Sequence, residues 1–517
     1  MAGRHSVRRL QVAALVAIAA TLLAACGAAD SPSSDSGSGS ESGNKAAPGL
    51  TGGAPDKPQG LATPETTGEA AAGRAAAGEV SASDEPVSTF AVDVDTASYG
   101  FAKRTLESGR RPAASAIRPE EFVNSFDQQY REPQGNGFSI NTDGTRLPST
   151  HRGAEDNARL LRIGLQTRGE SDAERPDAAL TFVVDVSGSM SEPGKLDLVQ
   201  HGLRTLVDQL RPTDSVALVS YSDEAEVLRP MTQVRDRDGL NRAIDRLKVA
   251  GSTNLEAGLR LGYDTARKGF RNSATNRVIL LSDGLPNVGT TDATPLVREI
   301  QEAAAKQITL LGVGVGSDYG DRFMEQLADK GDGYVVYVSD QAEADHVFVQ
   351  QLPATVALRA LDAKAQVEFD PKTVLSYRLI GYDNRALSAS QFRNDRVDGG
   401  EVGPGHAVTA LYALHLRPGA AGHLADVRVR WQDPKTREAS ELSQPITASA
   451  LTADFAESPR PLRISYVAAY LAEVLRASRY AEEVRLPDLR TIAQSAGDST
   501  QVRDLTNMIG DAIPLYS

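Results

Sequence analysis

The sequence predicts an α/β protein. A doubly wound, mostly parallel sheet stands at its centre, an α+β segment precedes it, and an antiparallel β module and a helical segment follow. Three observations carry this. From Ala179 to about residue 352, apolar strand-like runs alternate with amphipathic helix-like runs, the order that gives right-handed crossovers and an open sheet. The first run, ALTFVVDV, is apolar almost throughout, as a parallel strand covered on both faces requires. From 355 to 450 the rhythm changes to short strands separated by turn residues, the mark of antiparallel pairing.

Residues 1–25 read as an export signal. Arg4, Arg8 and Arg9 form a positive start, and Leu10 to Leu23 is an apolar run too short for a comfortable membrane span. It closes on Leu23-Ala24-Ala25-Cys26. Cys26 is the only cysteine of the 517 residues, which excludes an intramolecular disulfide and a cysteine-based zinc site. Residues 26–83 are rich in Ser, Gly, Ala, Pro and Thr. With almost nothing to bury, they are expected to be a disordered tether.

Residues 84–178 form an N-terminal flanking domain. TFAVDV is a short strand from Thr89, FAKRTLESG a helix closed by Gly109, IRPEEFVNSFDQQY a second helix with Pro119 in its first turn, and RLLRIGLQT a strand. Residues 179–352 are the central domain. After ALTFVVDV comes a helix from Lys195 to about Leu210, then strand SVALVSYS and an antiparallel edge AEVLRPM. Helices at 236–248 and 254–268 precede strand RVILLSD, helix PLVREIQEAAAKQ and strand ITLLGVGVG. A helix near 319–330, strand YVVYVS and a helix at 341–352 complete the domain. Residues 353–517 begin with strands ALDAKAQVEFD, YRLIGYD, HAVTALYALHLRP and ADVRVRWQD. From Ser458 the pattern is helical, with Ile464, Val467, Leu471, Val474 and Leu475 on one stripe.

The formal net charge is −13. It argues against broad electrostatic binding to nucleic acid or to an anionic membrane surface. The seven histidines are scattered. His406, His415 and His423 lack metal-ligand spacing and read as strand or surface residues, and Trp431 reads as packing in the β module.

The chemistry-bearing residues collect at strand ends. The first strand of the central domain ends in Asp185-Val186-Ser187-Gly188-Ser189-Met190, where an open sheet presents its ligand-binding edge. Thr253 lies in a loop that opens a helix, and Asp283 ends RVILLSD, followed by Gly284 for a tight turn. Ser187, Ser189 and Thr253 offer neutral oxygens; Asp185 and Asp283 offer the carboxylates. Such a set suits a hard cation such as Mg²⁺, whose charge two carboxylates roughly neutralise. The plain alternative is that these residues only cap strand-to-helix turns.

D-x-S-x-S, a threonine about 65 positions on and S-D-G about 30 beyond that resemble the von Willebrand factor type A domain over 179–350. The resemblance implies a Rossmann-like fold and a metal-ion-dependent adhesion site. Its ligands would be Asp185, Ser187, Ser189, Thr253 and Asp283, some through water. It implies Mg²⁺, or Mn²⁺ or Ca²⁺ in its place, with an open position for an Asp or Glu of a protein partner. Leu23-Ala24-Ala25-Cys26 resembles a bacterial lipobox. That implies cleavage before Cys26, lipidation of its sulfur and a lipid-anchored protein on the extracytoplasmic face of the cell membrane, where two acyl chains anchor stably. The layout from about 85 to 517 resembles a group of bacterial exported proteins with flanks of uncertain role.

Two enzyme readings are weaker. Asp93-Val94-Asp95-Thr96 resembles the first motif of haloacid-dehalogenase-type phosphatases, with Asp93 as nucleophile, but the residues that follow lack that fold's βα alternation. TFAVDVDTAS also parallels TFVVDVSGSM, aligning Asp93 with Asp185. The favoured reading is a strand-to-helix turn with Asp95 or Thr96 as cap. Neither Ser187 nor Ser189 lies in G-x-S-x-G, and His201 reads as a surface residue rather than a base. Gly312, Gly314 and Gly316 lie on a strand, not in the strand-to-helix turn of a dinucleotide site. The expectation is a binding protein, not an enzyme; a metal-independent envelope assembly scaffold is the alternative.

Overall fold

In a computed structural model the described residues are 78–516, apart from 93, 154, 170–174, 284–293, 317–323, 325–326, 329, 339–340, 346, 349–351, 353–357, 396 and 398. The export signal, Cys26, the tether up to residue 77 and Asp93 lie outside the described residues, as does much of the helices expected near 319–330 and at 341–352. Residues 78–83, expected within the disordered tether, are instead ordered: Val80 and Ser81 pair with Tyr377 and Ser376, and Ala82 is buried.

Strands β1 (Val80–Ser81) and β2 (Val87–Ala91) come first. Helix α1 (Ala97–Glu107) ends where Gly109 takes φ 72° and bonds back to the Leu106 carbonyl. Thr96 holds its N-cap position, but the expected side-chain cap bond is not made. Instead the first turn is tied across the fold, the Ser98 N–H donating to Glu121 at 2.7 Å. Helix α2 (Pro119–Asn124) is shorter than the sequence suggested. The Gln128 amide donates to the Val123 and Phe126 carbonyls, and Gln129 takes φ 55°, which turns the chain away.

Strand β3 (Phe138–Arg146) was not foreseen, because its Asp143-Gly144 is a turn signature. It runs straight because Asp143 accepts from Arg162 of strand β4 (Ala158–Thr167), Oδ1 to Nε 2.9 Å, and because Gly144 leaves room for Leu451.

The central domain follows with β5 (Asp177–Asp185), α3 (Leu196–Gln209), β6 (Ser215–Tyr221), β7 (Ala225–Gln233), α4 (Arg237–Ile244) and α5 (Leu255–Lys268). Then come β8 (Ala274–Ser282), α6 (Thr294–Ala304), β9 (Ile308–Val315), β10 (Val335–Val338) and α7 (Gln341–Asp345). The sheet order is β10-β9-β8-β5-β6-β7, parallel except for β7, which is the antiparallel edge. From β5 the chain runs first to β6 on one side and later to β8 on the other. The carboxyl ends of β5 and β8 therefore flank the topological switch, where open α/β sheets bind ligands.

Helix α3 turns Leu196, Val199, Leu203, Leu206 and Val207 into the sheet at helical spacing. Helices α4 and α5 are capped by the side chains of Asp236 and Asn254, which accept from the N–H groups of Gly239 and Ala257. The Gly312 and Gly314 positions on β9 are small because Met324 and Tyr337 pack where a Cβ would stand.

The remaining elements are β11 (Ala360–Phe369), β12 (Val374–Ile380), β13 (Ala386–Leu387), β14 (Gly400–Val402), β15 (Ala407–Leu416), β16 (His423–Gln432) and β17 (Ala439–Thr447). Helices α8 (Arg460–Leu475), α9 (Leu486–Ser495) and α10 (Thr500–Tyr516) close the chain. Strand β17 was also unforeseen; it is polar, largely exposed and carries Pro445, as an edge strand tolerates.

The segments 84–178 and 353–517, expected as a flank and a separate module, interleave strand by strand. One sheet runs β1-β12-β15-β4-β3 and the other β13-β2-β11-β16-β17, with β14 on β11. Thus β4 pairs with β15 and β2 with β11, across the whole central domain in sequence. The two sheets share one core that includes Phe90, Leu161, Val367, Tyr412 and Val427. Trp431 meets Phe138 edge-on at 5.3 Å. A helical layer of α1, α2, α8, α9 and α10 covers Leu160, Ile380 and Leu411 of the first sheet. The central domain is an insertion in this two-ended sandwich.

Candidate metal centre

Strand β5 delivers Asp185 fully buried at the sheet's carboxyl edge. Its Oδ1 accepts from the Ser187 N–H at 2.9 Å, folding the D-x-S turn back on itself. Its Oδ2 accepts from the Ser282 hydroxyl at 2.8 Å and the Tyr221 hydroxyl at 3.2 Å. Those donors end the two neighbouring strands, β8 and β6, so the carboxylate is clamped from both sides. Burial raises the Asp185 carboxyl above its ordinary value; the bonds from Ser187 and Ser282 oppose this, and the Asp283 charge adds to it. Two carboxylates facing one buried corner repel, and a cation between them would relieve that repulsion.

The hydroxyls continue the chain of contacts. Ser187 Oγ and Ser189 Oγ lie 3.1 Å apart, and Ser189 donates to Asp283 Oδ1 at 2.8 Å. Asp283 Oδ2 in turn accepts from Lys195 Nζ at 2.9 Å. Burial disfavours the Lys195 charge, but Asp283 and Glu192 outweigh it and hold the ammonium above its ordinary value.

Thr253 arrives on a separate loop that is zipped to the Asp185 turn by main-chain bonds. The Gly188 N–H donates to the Gly251 carbonyl at 3.0 Å, and the Ala250 N–H to the Val186 carbonyl at 2.7 Å. Gly251 takes φ 52°, and Ser252 bonds Asp223 through both its N–H and its hydroxyl. Thr253 is buried within this loop, and Asn254 then starts α5. The structure therefore gathers Asp185, Ser187, Ser189 and Asp283 into one bonded chain and brings the Thr253 loop against it.

Sequence reasoning missed Tyr221, Ser282 and Lys195. Ser282 was visible inside S-D-G; Tyr221 and Lys195 carried no signal until the strands were placed. Asp95, of the second acidic motif, pairs with Arg385 at 3.7 Å. His201 bonds Asp345 at 2.9 Å across two helices. His415 bonds Glu79 at 2.5 Å, and His423 lies 3.4 Å from Asp426. His406 is pushed down to about 4 by burial, with Arg277 adding to it.

Among the described residues, no group of three or more His, Cys, Asp or Glu side chains could hold a metal. The donor set at the Asp185 corner is of the other kind, two carboxylates with hydroxyls, and it fits a hard divalent ion.

A family model described as the von Willebrand factor type A domain matches residues 179–350, and one described as the C-terminal part of Uncharacterized protein YfbK matches 354–422. A third, described as von Willebrand factor, matches 71–154. Uncharacterized protein YfbK of Escherichia coli (strain K12) is 32% identical over 436 residues, 80% of this chain and 75% of the relative. The chain belongs to the YfbK family, and its own central domain is a von Willebrand type A domain. This type A domain is the insertion described above. Uncharacterized protein sll0103 of Synechocystis sp. is 25% identical over 301 residues, 57% of this chain and 71% of the relative. A von Willebrand factor type A structure from Catenulispora acidiphila aligns with 76% of this chain and 98% of its own, with a TM-score of 0.45 and 16% identity. Type A domains generally mediate protein–protein contacts and often carry a metal-ion-dependent adhesion site.

Proposed function

We propose that this YfbK-family chain is a lipid-anchored, extracytoplasmic binding protein whose type A domain grips a protein partner through a bound divalent cation. The observation that carries the reading is the chain of hydrogen-bonded, oxygen-bearing residues at the sheet switch, from Asp185 through Ser187 and Ser189 to Asp283. Asp185, Ser187, Ser189, Thr253 and Asp283 would hold Mg²⁺, with Mn²⁺ or Ca²⁺ as substitutes. The ion supplies an electrophilic coordination position for an Asp or Glu carboxylate of the partner.

The chain's own residues do the rest. Tyr221 and Ser282 hold the Asp185 carboxylate in one orientation, and the Gly188–Gly251 main-chain bond fixes the Thr253 loop. Among the described residues the base bonded to Ser189 is the Asp283 carboxylate, and Lys195 engages that carboxylate as well, an arrangement that favours capture over hydrolysis. Cys26, at the end of an apolar export segment, is the acylation point that tethers the protein to the membrane.

Affinity capture from an envelope extract tests this, using protein that begins at residue 27 with Mg²⁺ or with EDTA. Partners that depend on Mg²⁺ and vanish with Asp283→Ala support the reading. Partners retained in EDTA and by the variant contradict it and favour a metal-independent scaffold. Replacing Cys26 by Ala should move the full chain from the membrane to the soluble fraction.

A further inference from the structure

Lysine is an unfavourable choice at the position Lys195 occupies. It stands at the N-cap of α3, where a cation opposes the helix dipole and where it makes no side-chain cap bond. Its side chain is nevertheless 9% exposed and runs inward to the metal centre. Gly316, just past β9, takes φ 99° and leaves room for the stem: a Cβ built there would lie 3.1 Å from Lys195 Cε. The ammonium lies 2.9 Å from Asp283 Oδ2, on the oxygen that Ser189 leaves unused, and Asp283 is itself 3% exposed. Its second partner, Glu192, is 68% exposed, so solvent screens that charge. A local rule broken without benefit to the helix points to a role at the site.

The charges then decide the consequence. Asp185 and Asp283 together cancel a divalent ion, and the buried ammonium adds one positive charge in a poorly screened place. We propose that Lys195 sets the charge of the metal centre, weakening cation binding so that the loaded site is net positive and draws a carboxylate more strongly. This rests on the metal-binding reading above. Lys195 acts through Asp283 and is a charge-setting residue, not a ligand.

Free Mn²⁺, read by electron paramagnetic resonance, is the probe, with wild type, Lys195→Met and Lys195→Arg compared. Lys195→Met should bind Mn²⁺ at least about tenfold more tightly, and Lys195→Arg should match wild type. Acetate is then titrated into the Mn²⁺-loaded proteins, and loss of water-proton relaxation enhancement reports occupation of the open position. Lys195→Met should need about tenfold more acetate. If Lys195→Met does not fold, Lys195→Gln is measured in its place with the same expectations. Unchanged or weaker Mn²⁺ binding in the neutral variant would show that the ammonium merely orients Asp283, and would overturn the proposal. Wild type that binds no Mn²⁺ overturns the metal reading itself, a result distinct from wild type and variant binding equally.

Discussion

Ser189 donates its hydroxyl to the Asp283 carboxylate at 2.8 Å, joining residues 94 positions apart in the chain. One follows β5 and the other follows β8. The bond exists because these strands are neighbours at the switch of the sheet, so the fold itself assembles the site. Four consequences can be measured.

Gly251 sits at φ 52°, and an ideal Cβ there would lie 1.8 Å from Asp223 Oδ2. Gly251→Ala should therefore strain the backbone and displace the Asp223 carboxylate that holds Ser252, loosening the Thr253 loop. We expect a loss of about 1–3 kcal/mol in urea unfolding together with weaker Mg²⁺-dependent stabilisation. A fully wild-type melt with and without Mg²⁺ would contradict this.

Tyr221 is fully buried and gives its hydroxyl to Asp185. Tyr221→Phe removes a donor from a buried carboxylate at almost no change in volume. The expected cost is about 1–3 kcal/mol at neutral pH, checked by denaturant unfolding without metal. A loss no larger than that of an exposed tyrosine changed to phenylalanine would argue against the clamp.

Arg378 of β12 and Glu473 of α8 form a buried pair, 2.9 Å apart, at 6% and 0% side-chain exposure. Arg476 also bonds Glu473 at 2.9 Å. Glu473→Ala leaves Arg378 with only Glu483, 3.7 Å away, and Arg476 with Asp383, so we expect a loss of about 2–3 kcal/mol, below that of a fully orphaned buried charge. The loss should appear as release of the helical layer from the sandwich, visible as accelerated amide exchange in α8.

The His415–Glu79 pair fastens the first described residues to β15. The bond from His415, opposed by burial, holds Glu79 down to about 2, and the bond from Glu79 raises His415. The depressed carboxyl contributes stability above its ordinary 4.5, lost as pH falls towards 2. The raised imidazole contributes below its ordinary 6.5, lost as pH rises through its higher folded value. The melting difference between wild type and His415→Gln should thus be largest between 4.5 and 6.5 and shrink on either side. A constant difference across pH would refute the assignment.

The type A domain was legible in the sequence because its signals are local. ALTFVVDV is apolar on both faces, and each candidate site residue sits at a strand end or in the loop opening a helix. The donors that clamp Asp185 were less so, since Tyr221 and Ser282 matter only once β6 and β8 flank β5. The sandwich was the least legible part. Nothing in the pattern of VSTFA says that its partner is ALDAKAQVEF, because alternation fixes which face is buried but not which distant strand pairs. The Asp143-Gly144 pair and polar β17 hid two strands for opposite reasons, one a false turn signal and one an exposed edge. The expected helix over IRPEEFVNSFDQQY was cut short by a tertiary contact, the Gln128 amide on the carbonyls of Val123 and Phe126.

The central claim is that the Asp185 corner holds one hard cation. Calorimetric titration of Mg²⁺ into the wild-type protein and Asp185→Asn tests it most directly. The account predicts a single saturable binding event in wild type that is absent from the variant. No heat in wild type, or the same isotherm for both proteins, would contradict it.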